Sequence, residues 1–360
     1  MEPIASSDAG HVAAAGMTDV PAVSVVIPCR DEERFLEACL NSLLVNSYPE
    51  GRLEILIVDG MSTDQTITIA KRFAQRHPHI RLLENPKRTI PAAMNVGIRQ
   101  SSGEIILKAD AHSTYPPNYI ADCVRHLLDF KADMAGGMWV IAPREDTHIA
   151  RSISVALSHW FASGNAYIKI GSKAPRWADT AAFGCWRRET LQKLGLFDEA
   201  LAGSSDMDLN VRLRKTGGRI LLVPDIKVTY FADSDLKSLW NHNLSDGVWT
   251  TYVLKFGKQA TSWRHWAPLA FVSSLLGAGI LAPLFSPAAW VLTGLCGAYA
   301  LLSLVASAQV SLRMKTLEYL CTLPVVFAAR HVAHGLGALY GLVLVIIPGL
   351  SWSGRRAANA

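Results

Sequence analysis

The sequence predicts a doubly wound α/β domain followed by apolar helices of membrane-spanning character. Three observations predict it. Short apolar runs alternate with helical patterns up to about residue 130. Three of those runs end in acidic residues. Residues 267–310 hold no charged side chain, which marks a boundary between a soluble domain and a membrane part.

The elements follow in order. Residues 23–27 are a strand candidate, stopped by Pro28. A helix follows with Phe35, Leu36, Leu40, Leu43 and Leu44 at helical spacing. Residues 55–58 are apolar throughout, as a strand buried on both faces should be, and end on Asp59-Gly60. Ser62, Thr63 and Asp64 offer caps for a helix through Ile69 and Phe73. Residues 80–83 read as a third strand, and Pro91 opens a helix through Met94 and Ile98. Residues 105–107 are a fourth strand that runs out at Asp110-Ala111-His112, and a helix follows Pro117.

The second half is less regular. Residues 132–141 read as a strand with a Gly-Gly interruption, and residues 180–186 as another leading into a helix at Arg187-Arg188. Ser204 starts a short helix halted by Gly217-Gly218. Two short strands are expected near residues 220–223 and 227–231.

Residues 235–256 are amphipathic, with Leu236, Leu239, Trp240, Leu244, Val248, Thr251 and Tyr252 on one helical face. Trp240, Trp249, Trp263 and Trp266 suit the headgroup level of a bilayer. Residues 267–285 and 288–310 are long enough to span. Residues 317–350 contain Arg330, His331 and His334 and allow one span or a tight pair, so three or four segments are expected in all. Arg313, Lys315, Arg355 and Arg356 favour the cytoplasm for their sides. The expected layout is a disordered tail over residues 1–21, a catalytic domain over 22–234, an interfacial helix and linker over 235–265, a membrane region over 266–350 and a cytoplasmic tail over 351–360.

The net charge is +5, and the basic residues are scattered rather than run together. Nucleic-acid binding therefore has little support, and contact with anionic lipid has some. The N-terminus lacks a positive stretch followed by an apolar run, so no signal peptide is expected. The six cysteines are far apart and read as reduced, mostly buried thiols rather than disulfides or a zinc site.

In a doubly wound sheet, ligands bind beyond the carboxyl ends of the parallel strands. Those ends are residues 28–32, 59–64 and 110–112, and all three carry acids. Acids facing one crevice need a cation or hydrogen-bond donors to offset their repulsion. Asp110 and His112 are the candidates to hold a cation; the alternative is a turn that merely ends the strand.

Five motifs in order resemble glycosyltransferase family 2. They are the strand running into Pro28-Cys29-Arg30-Asp31-Glu32, then Val58-Asp59-Gly60-Met61-Ser62-Thr63-Asp64, then Ala93-Met94-Asn95-Val96-Gly97, then Asp110-Ala111-His112, and last Ser205-Asp206-Met207-Asp208-Leu209. Their order and spacing match over roughly residues 22–232. Met61, Asp208-Leu209-Asn210 and the segment His334-Gly335-Leu336-Gly337 look like the succinoglycan-type exopolysaccharide glucosyltransferases.

The resemblance implies a GT-A fold anchored in the cytoplasmic membrane, several spans deep, with the catalytic domain facing the cytoplasm. It implies an inverting, metal-dependent transfer from a nucleotide-sugar, a UDP-sugar by the family's habit. The acceptor it implies is a polyprenyl-diphosphate-linked saccharide. Carried over by position, Asp206 is the base. Pro28, Glu32, Asp59, Lys87, Arg88, Asn95 and Asp110 face the nucleotide-sugar. Asp110 and His112 hold Mn2+ or Mg2+, and an imidazole suits Mn2+ better. Asp208, Trp240 and Trp249 lie on the acceptor side, with Asp208 a fallback base.

Several residues have an ordinary structural reading as well. Asp59 also suits a turn, Asp206 a helix N-terminus, and Trp240 and Trp249 anchors for their helix. Asp31 stands where the family has Asn, and Ser205 where it has Glu. The Q-x-x-R-W of processive members has no counterpart at residues 243–249, which implies one sugar per encounter. Two other readings stay open: a polyprenyl-phosphate sugar transferase, and a non-catalytic subunit of a polysaccharide assembly.

Overall fold

The computed structural model describes residues 20–258 and 263–352. The expectations for most of both tails, and for residues 259–262, lie outside these. The described residues form two units. One comprises residues 20–140 and 171–230, the other residues 141–170 and 231–352.

The first unit is built on a sheet of nine described strands: β1 Val23–Cys29, β2 Leu53–Asp59, β3 Ile80–Glu84, β4 Ile105–Lys108, β5 Ser113–Thr114, β6 Met134–Pro143, β7 Arg176–Ala178, β8 Ala182–Arg187 and β9 Ile220–Ala232. Their order is β3-β2-β1-β4-β8-β6-β9-β5, with β7 also on β9. The first four run parallel, and β8 joins β4 antiparallel. Strand order reverses between β1 and β4, so the crevice beyond their carboxyl ends is the switch point of the sheet. Val25, Val26, Ile27, Ile55, Leu56, Ile57, Ile106 and Leu107 are fully buried, as strands covered on both faces require.

The helices of this unit are α1 Leu36–Leu44, α2 Thr66–Arg76, α3 Ile90–Gln100, α4 Tyr119–Asp129, α8 Arg188–Lys193 and α9 Ser205–Lys215, the numbers α5–α7 falling to the other unit. Helix α3 lies close against β1 because Gly97 has no side chain. A Cβ there would sit 2.4 Å from Val26 Cγ1, on a stiff β-branched residue. Gly97→Ala is therefore expected to destabilise this unit by about 1–3 kcal/mol. Denaturant unfolding followed by circular dichroism checks this; a wild-type midpoint would mean that α3 can shift freely.

Three details of the first unit differ from the sequence expectations. Strand β1 continues through Pro28 to Cys29. The β4 ladder has already ended at Lys108, opposite Val26, so Pro28 forfeits no bond to β4. Residues 220–232 are one long strand rather than two short ones. Helix α2 begins at Thr66, with Ser62 and Asp64 spent in the loop before it.

The second unit is helical: α5 His148–Leu157, α6 Trp160–Ser163, α7 Tyr167–Ile170, α10 Leu236–Tyr252, α11 Ala267–Leu281, α12 Ser286–Met314 and α13 Glu318–Ile346. The sequence expectations do not include α5–α7, although α5 carries Ile149, Ile153, Ala156 and Leu157 at helical spacing, with small residues such as Ala150, Ser152 and Ser154 also buried. Among the described residues, two helices, α12 and α13, are long and apolar enough to cross a membrane. At 15 residues α11 falls short of the ~20 that a span needs.

Residues 318–346 are a single helix of 29 residues. Its polar residues have internal partners. Arg330 donates to Ala162 O at 2.9 Å and to Asn243 Oδ1 at 2.7 Å; His331 Nδ1 meets Tyr299 OH at 2.9 Å, and His334 Nε2 meets Thr250 Oγ1 at 3.2 Å. Helix α10 forms where the amphipathic pattern places it, capped by Asp235. Its burial extends past the apolar face, however, to Asn243, Ser245 and Thr250. Helix α13 approaches it at glycines: a Cβ on Gly337 would stand 2.1 Å from Leu244 O, and one on Gly247 2.1 Å from His334 O.

Candidate functional site

The switch point gathers the ends of β1 and β4. The backbone continues the contact past the ladder, with Ala109 N donating to Val26 O at 2.9 Å. Glu32 comes from the loop after β1, and His112 from the loop after β4. Glu32 Oε1 and His112 Nδ1 meet at 3.0 Å, although 80 residues separate them in sequence. The His112 ring also stands edge-on to Tyr230, 5.7 Å between centroids, and Tyr230 stacks on Trp139 at 4.7 Å. The imidazole is thus fixed by a carboxylate on one side and by an aromatic pair on another.

Asp110 keeps its carboxylate less engaged. Its backbone N–H donates to Tyr115 OH at 2.7 Å, and its carbonyl accepts from the Cys39 thiol. Among the described residues its carboxylate meets the Lys108 ammonium, at 4.0 Å. Lys108 is the last residue of β4, and its side chain is 7% exposed. The same ammonium donates to Asp206 Oδ2 at 2.5 Å. Lys108 therefore links the acid at the end of β4 to the acid at the start of α9. Asp206 Oδ1 has no hydrogen-bond partner among the described residues.

The two acids of α9 go separate ways. Asp208 is 3% exposed and accepts from Arg212 Nε at 2.7 Å. Arg212 also donates to the carbonyls of Leu194 and Leu196. Asp208 thus anchors the loop before α9. Ser204, just ahead of that helix, takes a positive φ of 61°.

Positive φ at non-glycine residues recurs around the crevice, at Asp31 after β1, Met61 after β2 and Arg88 before α3. Such conformations cost energy and persist where the surroundings over-determine them. Here the surroundings are a lattice of hydrogen bonds between the loops after β1 and β2. Asp31 Oδ1 accepts from Thr63 N at 2.7 Å, and Asp31 N donates to Ser62 Oγ at 2.9 Å. Glu32 N donates to Thr66 Oγ1 at 2.7 Å, and Glu33 N to Asp64 Oδ2 at 3.1 Å. In this lattice Asp31 acts through one acceptor oxygen and a backbone N–H, while its other oxygen pairs with Arg30 Nε at 3.5 Å. An Asn could supply both, which accounts for the exchange at this position.

Asp59 sits within this lattice, 3% exposed. Its carboxylate accepts from Ser62 Oγ at 2.5 Å and from Ser62 N at 3.0 Å, so it closes a turn. The neighbouring Cys29 thiol is pushed up by burial and by the charges of Asp59 and Glu32, which keeps it protonated and unreactive. Four of the six cysteines are buried, whereas Cys296 and Cys321 on the apolar helices are exposed.

Three of the candidate donor-side residues lie together at the start of α3. Asn95 is 2% exposed and exchanges hydrogen bonds with the backbone of Phe197, its amide also donating to Glu199 Oε1 at 2.8 Å. Lys87 pairs with Glu199 at 2.7 Å. Hydrogen bonds from Lys87 and Asn95 hold the Glu199 carboxyl below the usual carboxylate range. Arg88 turns the chain, its N–H donating to Asn85 O at 3.1 Å. Asn95 and Lys87 thus brace the loop before α9, a role their motif spacing does not announce.

In the helical unit, Trp249 is 4% exposed and lies edge-on to Tyr252, while Trp240 is half-buried.

Sequence reasoning missed Lys108. Its signal is a charged residue ending an otherwise apolar strand two positions before an acid. It also missed the pairing of Glu32 with His112, since nothing in the spacing of two loops shows that they meet.

By residue type, Asp110 could offer an oxygen ligand and His112 a nitrogen ligand to a divalent cation. Mg2+ and Mn2+ keep several waters, so two protein ligands suffice. The Glu32 carboxylate on His112 is the second-layer arrangement common at metal-bound imidazoles. Among the described residues, no group of three or more His, Cys, Asp or Glu is placed to hold a metal ion.

Comparison with known proteins bears on this crevice. Residues 24–195 match the family model described as glycosyl transferase family 2. The chain is 29% identical to the succinoglycan biosynthesis protein ExoA of Rhizobium meliloti over 60% of its own length and 65% of that protein's. It is 25% identical to a dolichyl N-acetyl-α-D-glucosaminyl phosphate 3-β-D-2,3-diacetamido-2,3-dideoxy-β-D-glucuronosyltransferase of Methanococcus voltae over 71% of its length and 80% of that protein's. Among solved structures, the mannosyltransferase PcManGT of Pyrobaculum calidifontis, in complex with GDP-Man and Mn2+, aligns with a TM-score of 0.58. That alignment covers 92% of this chain and 90% of the other at 22% identity, a likeness of fold.

Proposed function

We propose, on the premise that residues 24–195 form a glycosyl transferase family 2 domain, that this chain transfers a sugar from a nucleotide-sugar to a lipid-linked saccharide in the making of a cell-surface glycan. The observation that carries the reading is the Lys108 link, which joins Asp110 at the switch point to Asp206 at the start of α9. A donor-side acid and a candidate base thus share one crevice. The relatives supply the substrate classes: a succinoglycan biosynthesis protein, and a transferase whose name describes a dolichyl-phosphate-linked sugar. The two long apolar helices suit an enzyme whose acceptor is a lipid, because a membrane anchor raises the effective concentration of one for the other.

The diphosphate end of the donor lies beyond β1 and β4 in this reading, beside Asp110. A divalent cation held by Asp110 and His112 would supply the positive charge that the leaving diphosphate needs. Glu32 orients the imidazole through Nδ1. Pro28 and Asp59, at the ends of β1 and β2, and Arg88, between β3 and α3, border the nucleotide in this reading, and the lattice after β1 and β2 braces the first two. Asp206 takes the proton of the acceptor hydroxyl through Oδ1. The hydroxyl oxygen then bonds to C1 as the C1–O bond to the diphosphate breaks on the opposite face, so C1 inverts. Trp240 and Trp249 stay with the acceptor side of the reading, and the enzyme works at the cytoplasmic face of the inner membrane.

The test is a panel of nucleotide-sugars incubated with membranes containing the protein, Mn2+ or Mg2+, and lipid-linked saccharides. Consumption of one donor with transfer to the lipid fraction is expected. Binding of donor with no turnover on any acceptor would overturn the enzyme reading and leave a non-catalytic subunit.

A further inference from the structure

We propose that Lys108 is a positioning residue for transfer: it holds Asp206 by one oxygen so that the other faces the acceptor, and it sets the charge that the donor's cation meets at Asp110. The inference rests on the assignment of Asp206 as base and Asp110 as cation ligand given above. Four observations carry it.

Lys108 is charged yet almost wholly buried, at the end of a strand whose other residues are apolar. A lysine in such a place costs desolvation unless opposite charge compensates it. Its ammonium meets Asp206 Oδ2 at 2.5 Å and Asp110 Oδ1 at 4.0 Å. Asp206 itself is half exposed, on the first turn of a helix that opens from a left-handed Ser204. Without the ammonium, a half-exposed carboxylate at a helix start is free to rotate. With it, Oδ2 is pinned, and Oδ1, itself buried and without a partner among the described residues, is the oxygen left to take a proton from a hydroxyl that enters beside it.

The second part follows from charge. Lys108 is a fixed monovalent cation beside the carboxylate that would hold a divalent one. The two repel, so Lys108 weakens cation binding at Asp110 while it orders Asp206. Removing the lysine should therefore move binding and rate in opposite directions. A residue that merely supports the fold would lower both when removed.

The experiment compares wild type, Lys108→Met and Lys108→Arg as full-length proteins in detergent or nanodiscs. Mn2+-dependent binding of the nucleotide-sugar is measured by calorimetry, and kcat and KM by transfer to a lipid-linked saccharide. Lys108→Met is expected to bind the Mn2+–donor pair more tightly than wild type, and to lose about 100-fold in kcat, the scale of a misplaced reacting group. Lys108→Arg keeps the charge and should recover most of that rate. An unchanged kcat in Lys108→Met overturns the proposal, as does a joint loss of binding and rate in both variants. Absence of transfer by wild type would instead overturn the underlying enzyme assignment. Even then, tighter Mn2+–donor binding by Lys108→Met would support the electrostatic half of the proposal, and unchanged or weaker binding would overturn it.

Discussion

Replacing Asp206 with asparagine is expected to lower sugar transfer by about 10²–10⁴-fold, the contribution of a positioned general base. Donor binding should stay close to wild type, since Asp206 meets the β4 strand end through Lys108. Asparagine is nearly isosteric and can still accept from the Lys108 ammonium, so the geometry at the start of α9 survives while the base is lost. Asp208 is poorly placed to take over. It is buried, and its carboxylate is committed to Arg212, which in turn holds the carbonyls of Leu194 and Leu196. Steady-state kinetics beside calorimetric donor binding separates the two quantities. A near-wild-type rate would move the reading to a lipid phosphate acceptor, which is already an anion and needs little help from a base. Equal loss of binding and rate would instead make Asp206 a structural partner of Lys108.

What the sequence made legible depended on how locally each feature is determined. The parallel strands announce themselves as apolar runs, because a strand buried on both faces admits little else. The strand ends follow from them, and with the ends comes the switch point. The partners across it do not follow. Glu32 and His112 lie 80 residues apart, and Lys108 and Asp206 98 apart. Only the register of β1 against β4, and the return of the chain through β8 and α9, brings such pairs together.

The motif Asn and Gly show a second limit, in what packing adds to a motif position. Asn95 reads as a donor-side polar residue, yet its amide is closed around the backbone of Phe197. Gly97 is fixed by the closeness of Val26 rather than by a ligand. In the helical unit, polar residues within α13 resemble an interruption of a span because their partners, Asn243, Thr250 and Tyr299, belong to other helices. Apolar periodicity cannot report a polar face that is satisfied from outside its own helix.

Asp110→Asn is expected to cost about 10²–10³-fold in transfer, the scale of losing one stabilising group for a developing anion. The charge balance explains why this acid should matter more than its neighbour His112. Glu32, Asp110 and Asp206 bring three carboxylates to the crevice region, and Lys108 brings one ammonium. A donor diphosphate adds further negative charge, so a cation must enter with it, and its anionic anchor is Asp110. At about 4 Å and an effective dielectric of about 20, two unit charges interact by on the order of 4 kcal/mol before desolvation is counted. Neutralising Asp110 removes that anchor and leaves the Lys108 repulsion in place, so both terms act against the cation. His112→Ala removes an uncharged ligand and frees Glu32, whose carboxylate is then available in its stead; a smaller loss is expected. Titration of donor binding with Mn2+ at fixed protein reads the effect without turnover. The Asp110→Asn curve should lie at higher Mn2+ than that of His112→Ala, and His112→Ala above wild type. If Asp110→Asn keeps the wild-type Mn2+ dependence, the cation is held elsewhere, and the Lys108 ammonium becomes the group that faces the leaving diphosphate.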